Sequence, residues 1–193
     1  MTASHPPYPP QGYLGMTPVP RAPEGTTTGT VWIWLIVVLP LVQMLASIPL
    51  LVGIGEMYTK LFGTLDFSDS ASSNEVMQGM LSSYIGLFGP VLWVTLLSYL
   101  LSGVGVLLGW LDWRELRGRG VPKPFHWAWG FFAFTGAGTL VYLIGRTVVA
   151  RRRTGTGLAP LWAGIVVYIV LMVATFAWTI ALVASALSAV KLH

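Results

Sequence analysis

Four stretches of this chain are almost free of polar side chains, and three of them are long for a soluble helix. The first, Val31 to Ile54, has 24 residues, enough to cross a hydrocarbon core of roughly 30 Å. The second, Tyr84 to Leu111, has 28 residues and no charge; the last, Ala159 to Val190, has 32 and none. As one continuous helix that last run would be about 48 Å long, so it must tilt or project. A shorter stretch, 125–145, lies between the second and the last. The pattern predicts an all-α integral membrane protein with four hydrophobic helical segments, at about 31–54, 84–111, 125–145 and 159–190, in one helical domain of residues 31–193.

Residues 1–30 break this pattern. They run His5-Pro6-Pro7-Tyr8-Pro9-Pro10-Gln11-Gly12-Tyr13 and continue in Pro, Gly and Thr. Proline fixes φ and removes a donor, and few apolar side chains are present to offset ordering, so the segment reads as a disordered tail with polyproline II character. With Arg21 as its one cation and no A-x-A site after the first apolar run, it does not read as a signal peptide.

Within the apolar runs, Pro40 and Pro49 should bend the first helix. Gln43, its one strongly polar side chain, reads as an interhelical hydrogen-bonding group. Ser98, Ser102, Gly105 and Gly109 repeat small residues along the second run, and Ala177, Ala181, Ser185 and Ala189 do so along the last. Such stripes let a neighbouring backbone approach closely. Packing inside the same chain is their first reading and self-association the sharper one.

Composition agrees with lipid as the solvent. Hydrophobic residues make up 54% of the chain and charged residues 9%, against roughly 25% charged in a soluble domain. The distribution of charge raises a conflict over topology. Eight of the eleven Lys and Arg lie between Arg114 and Arg153, in two connectors flanking segment 125–145. If that segment spans, the connectors fall on opposite sides and the positive-inside bias nearly vanishes. If it enters and returns on one side, both connectors and Arg21 face the cytoplasm, leaving Lys60 and Lys191 outside. Gly136 and Gly138 offer a hinge for such a re-entrant or interfacial hairpin, with arms of about half the core. Both readings stand at this point. In either, the N-terminal tail is cytoplasmic and the acidic 55–82 connection is external.

Candidate chemistry is sparse. The chain contains no Cys, no H-E-x-x-H, no G-x-S-x-G and no phosphate loop. Asp66 and Asp69 form no recognised calcium loop, and the three histidines, His5, His126 and His193, form no metal cluster. His126 beside Trp127 and Trp129 reads as an interfacial anchor. No Asp or Glu lies inside an apolar run, so a proton relay has no evident carrier. The expectation is a non-enzyme without catalytic residues, metal or cofactor, and without nucleic acid as a partner. Arg114, Arg117, Arg119, Lys123, Arg146, Arg151, Arg152 and Arg153 are the candidate contacts to anionic lipid headgroups or to an acidic partner segment. For Arg146 a snorkelling stem is the plainer reading.

The stretch Asp112-Trp113-Arg114-Glu115-Leu116…Gly120-Val121…Pro124-Phe125-His126-Trp127-Ala128-Trp129 carries a resemblance, together with Val141-Tyr142-Leu143-Ile144-Gly145-Arg146 and Gly157-Leu158-Ala159-Pro160-Leu161-Trp162. Over roughly residues 84–190 the chain resembles small multi-span membrane proteins of high-GC Gram-positive bacteria (actinobacteria) with Pro/Gly/Tyr-rich N-terminal tails. The resemblance implies a bacterial cytoplasmic-membrane location and offers no catalytic residues. The leading expectation is a non-enzymatic accessory or scaffolding component, with a membrane-protein partner or a second copy as its target. The alternative is a small oligomeric channel or transporter.

Overall fold

The computed structural model describes residues 20–64, 73–135 and 139–189, and every regular element among them is helical. Helix α1 (Val31–Ala46) and α2 (Ile48–Thr64) form one bent rod, α3 spans Ser73–Gly118, α4 Leu140–Thr154 and α5 Ala159–Ala189; a 3-10 helix occupies Trp127–Thr135. Three helices are long and apolar enough to cross a membrane: Val31–Lys60, Met77–Gly118 and Ala159–Ser188.

Local chemistry explains the ends and the bend. Thr30 caps α1, its hydroxyl accepting the Ile33 N–H at 3.3 Å. The break falls at Ser47, where Pro49 withholds the donor that Leu45 O would need. The Ser47 hydroxyl bonds back to Met44 O at 2.7 Å, and Leu51 N reaches Ser47 O at 3.0 Å, so the rod continues after one irregular residue. Helix α3 ends in a Schellman motif: Gly120 N–H donates to Arg117 O and Val121 N–H to Leu116 O. Gly120 takes φ +80°, and Val121 and Leu116, both buried, close the accompanying apolar contact.

Segment 125–145 is where the structure departs from simple counting. It forms no single helix. The 3-10 helix leads to residues 136–138, which lie outside the described residues together with the proposed glycine hinge, and α4 then begins at Leu140. Nine residues is long for a 3-10 helix, whose side chains at i and i+3 eclipse. Here that eclipse is used. Trp129 stacks on Phe132 with centroids 5.6 Å apart, and Phe131 on Phe134 at 6.3 Å. The third expected helical segment is thus replaced by a broken arm followed by a helix of 15 residues, Leu140–Thr154, that carries Arg146 and, in its last turn, Arg151–Arg153.

In the packing, α1–α2 is central. It contacts both α3 and α5, while the 3-10 helix packs on α3 and α4 packs on α5. The hairpin therefore closes the fourth side of the bundle, but only along part of its length. The facing ends of its two arms lie at the level of Ser102 and Gly105, since Ser102 Oγ donates to Ala133 O at 3.2 Å and Gly105 faces Thr139. Ten residues of helix separate Ser102 from Asp112, about 15 Å, or half the hydrocarbon core. The core cluster of Ile33, Ile36, Val37, Leu108, Tyr142 and Leu143 occupies this closed half.

Candidate functional site

At the end where α1 begins and α3 stops, three elements meet on one carboxylate. Asp112, wholly buried, faces Arg146 in a two-pronged pair, with Nε to Oδ2 and Nη2 to Oδ1 both at 3.1 Å. Thr30 donates its hydroxyl to Oδ1, and the Tyr142 hydroxyl lies 2.9 Å from both Oδ2 and Gly109 O, to one of which it donates. Arg146 Nη2 also donates to Thr28 O. The node joins residues 28–30, α3 and α4. A fork-to-fork pair whose carboxylate also accepts a hydroxyl from Thr30 is the arrangement in which a buried ion pair can offset its desolvation. Arg146 Nη1 and Thr147 Oγ1 are buried with no hydrogen-bond partner.

The placement follows from spacing. Ser98, Ser102, Gly105, Gly109, Asp112 and Leu116 recur at intervals of four and three, which sets them on one face of α3. That face meets α1 and the hairpin: Gln43 Nε2 donates to Ser98 Oγ at 2.8 Å, and Gly109 lies under the Tyr142 ring. On α4, Gly145 leaves room for the Phe125 ring; a Cβ there would sit 2.2 Å from it.

Around the node lies a basic rim, tied to the segment before α1. Arg119 pairs with Glu115 and donates to Thr27 O at 2.9 Å and Gly29 O at 3.1 Å. Arg153 donates to Pro20 O at 3.0 Å, and Ala22 N–H to Arg153 O at 3.0 Å. Residues 20–30, read from the sequence as the end of a disordered tail, are therefore held on the bundle; residues 1–19 lie outside the described residues. Gly157, at φ +106°, lets the chain pass Thr28, whose Oγ1 would stand 2.7 Å from a Cβ.

The eight cations singled out from sequence have different fates. Arg114 lies over Trp110 at 5.5 Å and Arg117 over Trp113 at 5.3 Å, while Lys123, Arg151 and Arg152 are exposed. Arg146 differs from the expectation of a snorkelling stem: it is 1% exposed, and its guanidinium is bonded to Asp112 and Thr28 O. Sequence reasoning missed Asp112 altogether. The signal was available, because Asp112 continues the small-residue face of α3 by one turn.

Two further features bear on function. Below the hairpin tip, a cleft of about 400 Å³ is bordered by Pro40, Gln43, Ser98, Ser102, Tyr168 and Leu171. On α5, Ala177, Ala181 and Ser185 are exposed, whereas Ala186 is buried, so among the described residues no element of this chain covers the stripe. The Ala189 side chain, Asp66 and Asp69 lie outside the described residues. Among the described residues no group of three His, Cys, Asp or Glu could hold a metal ion. Comparison with family models, with curated proteins and with solved structures returns no match, so the reading of function rests on the arrangement of these residues.

Proposed function

We propose that this protein is a non-enzymatic accessory or scaffolding component of a bacterial cytoplasmic membrane, crossing it three times and dipping a hairpin into it from the cytoplasmic side. The observation that carries this reading is the attachment of Arg119 and Arg153 to the same short segment, residues 20–29. That attachment gathers the start of α1 and both basic connectors at one end of the bundle. Arg21, both connectors and Arg146 then sit on the cytoplasmic side, and Lys60 and Lys191 follow on the other, a clear positive-inside pattern.

Lipid-facing helices and the outward Ala177–Ala181–Ser185 face suit a partner helix packing from the side. The alternative, a small oligomeric channel or transporter, draws on the cleft below the hairpin. Its polar groups are largely used within the protein, Gln43 by Ser98 and Ser102 by Ala133 O, whereas a conduction path needs polar groups turned to the permeating species.

Two measurements test the reading. Cysteines introduced at Lys123 and Gly155 should react with an impermeant label from the same, cytoplasmic side; reaction from opposite sides sinks the three-crossing arrangement. Affinity recovery in mild detergent should bring down a stoichiometric membrane-protein partner. A partner-free homo-oligomer that leaks ions in liposomes would establish the alternative instead.

A further inference from the structure

We infer that the pocket where α3 gives way to the hairpin is a binding site for the phosphate of an anionic glycerophospholipid headgroup. The site deepens the proposed cytoplasmic orientation and rests on it for its leaflet. It is a cavity of about 520 Å³ bordered by Trp113, Arg117, Val121, Lys123 and His126. The chain reaches this shape by doubling back. The Schellman turn at Gly120 ends α3, and Lys123, between two prolines, takes φ +44°, a left-handed conformation that is uncommon for a residue with a Cβ. Backbone outliers of this kind cluster at ligand sites. The reversal brings Arg117, Lys123 and His126 to the border of one cavity.

The donors suit phosphate. The Arg117 guanidinium rests on the Trp113 indole, its centre 5.3 Å from the ring centroid; stacking of this kind leaves the N–H edge available for an oxyanion. His126 Nδ1 accepts the Ala128 N–H at 3.2 Å, so the neutral imidazole carries its proton on Nε2 and can donate from there. Trp113 and Val121 give an apolar wall, and Trp110, Trp127 and Trp129 stand close by in the sequence, the residue type that favours headgroup depth. A lipid headgroup arrives at that depth by default.

Among the described residues, the carboxylates nearest in sequence to these cations are already paired. Asp112 is committed to Arg146 and Glu115 to Arg119. Glu56 belongs to α2 and Glu75 to the first turn of α3, more than 35 residues of helix before Arg117, while Asp66 and Asp69 lie outside the described residues. Residues 1–19 contain neither Asp nor Glu, which leaves Glu24 as the one other carboxylate near this end. No carboxylate borders the cavity. An anionic headgroup would supply the complementary charge that the cavity border lacks.

The test uses the full chain in mild detergent, with bound phosphatidylglycerol or phosphatidylcholine counted by native mass spectrometry. The expected result is one retained phosphatidylglycerol and no comparable phosphatidylcholine. Replacing two surface cations in Arg117→Gln with Lys123→Gln should weaken retention roughly thirtyfold. The charge-keeping pair Arg117→Lys with Lys123→Arg should hold retention within about threefold of the wild type, on the same reasoning. Arg21→Gln removes an exposed cation from the same end, outside the cavity, and should leave the bound lipid in place. An equal loss in that control, or none in the first pair, overturns the site. Inorganic phosphate that binds alone through Arg117 and Lys123, and displaces the lipid, overturns the lipid assignment in favour of a soluble phosphate. Because retention is read in detergent, it does not depend on which side Lys123 faces, so the site and the orientation can fail separately.

Discussion

The two halves of the bundle are built on different principles. In the half that holds the hairpin, Ile33, Ile36, Val37, Leu108, Tyr142 and Leu143 are buried together and a hydrogen-bonded carboxylate joins three elements. In the other half the helices expose Phe88, Leu96, Phe176 and Leu187, each with about two-thirds of its surface free, and the most apolar window of α5 buries none of its residues. In water such faces would drive aggregation. In lipid they cost nothing, because acyl chains are as apolar as leucine. What distinguishes one arrangement of helices from another is then close packing at small residues and buried polar bonding, and both are concentrated in the hairpin half.

The largest break in this contrast should come from the node. Asp112→Ala leaves Arg146 buried without its counter-ion and should cost about 3–5 kcal/mol, read as thermal unfolding in mild detergent. Adding Arg146→Met should recover part of that loss, since an apolar replacement removes the stranded charge. A double variant as unstable as Asp112→Ala alone would show that the remaining donors, Thr30 and Tyr142, dominate instead. Next in size is Gly145→Ala, which drives a methyl into the Phe125 ring and should cost about 1–3 kcal/mol by overpacking. Protease cleavage within residues 119–126 should rise with it, because Phe125 pins that arm.

Smaller again is Ser98→Ala. It removes the bond to Gln43 at the edge of the open half and should cost roughly 0.6 kcal/mol, the usual worth of such a bond between membrane helices. The smallest effect on stability belongs to the open half itself. Ala177→Leu with Ala181→Leu should stay within about 0.5 kcal/mol of the wild type, yet abolish recovery of the proposed membrane partner. A drop in melting temperature comparable to that of Gly145→Ala would mean that this face is packed after all, and the two halves would differ less than described.

The spans were legible in the sequence because lipid demands long uncharged runs, and Val31, Tyr84 and Ala159 each open one. The start of α1 was also readable from Thr30 before an apolar run. Two features were hidden, for separate reasons. Segment 125–145 has the composition of a span, and only its aromatic spacing at 129/132 and 131/134 marks the 3-10 geometry that shortens it. Asp112 and Arg146 sit 34 positions apart, each in a connector rich in charge, where an ionised side chain reads as solvated. Their burial depends on a third element, residues 28–30, that lies outside both connectors. The basic rim was readable as a cluster. Which member turned inward was not, because snorkelling and pairing require the same long side chain.

The position of the Asp112–Arg146 pair along the chain has a consequence for biogenesis. Thr30 is synthesised before Asp112 and Arg146 after it. When α3 leaves the translocon, its carboxylate can meet the capping hydroxyl of α1, already in place, but its own partner, Arg146, is made only 34 residues later. The hairpin is thus a late arrival, drawn into a half-assembled membrane unit by a charge that waits for it. Truncation before Arg146 should leave a chain that inserts but is cleared by membrane quality control, whereas truncation after α4 should already yield a protease-resistant intermediate.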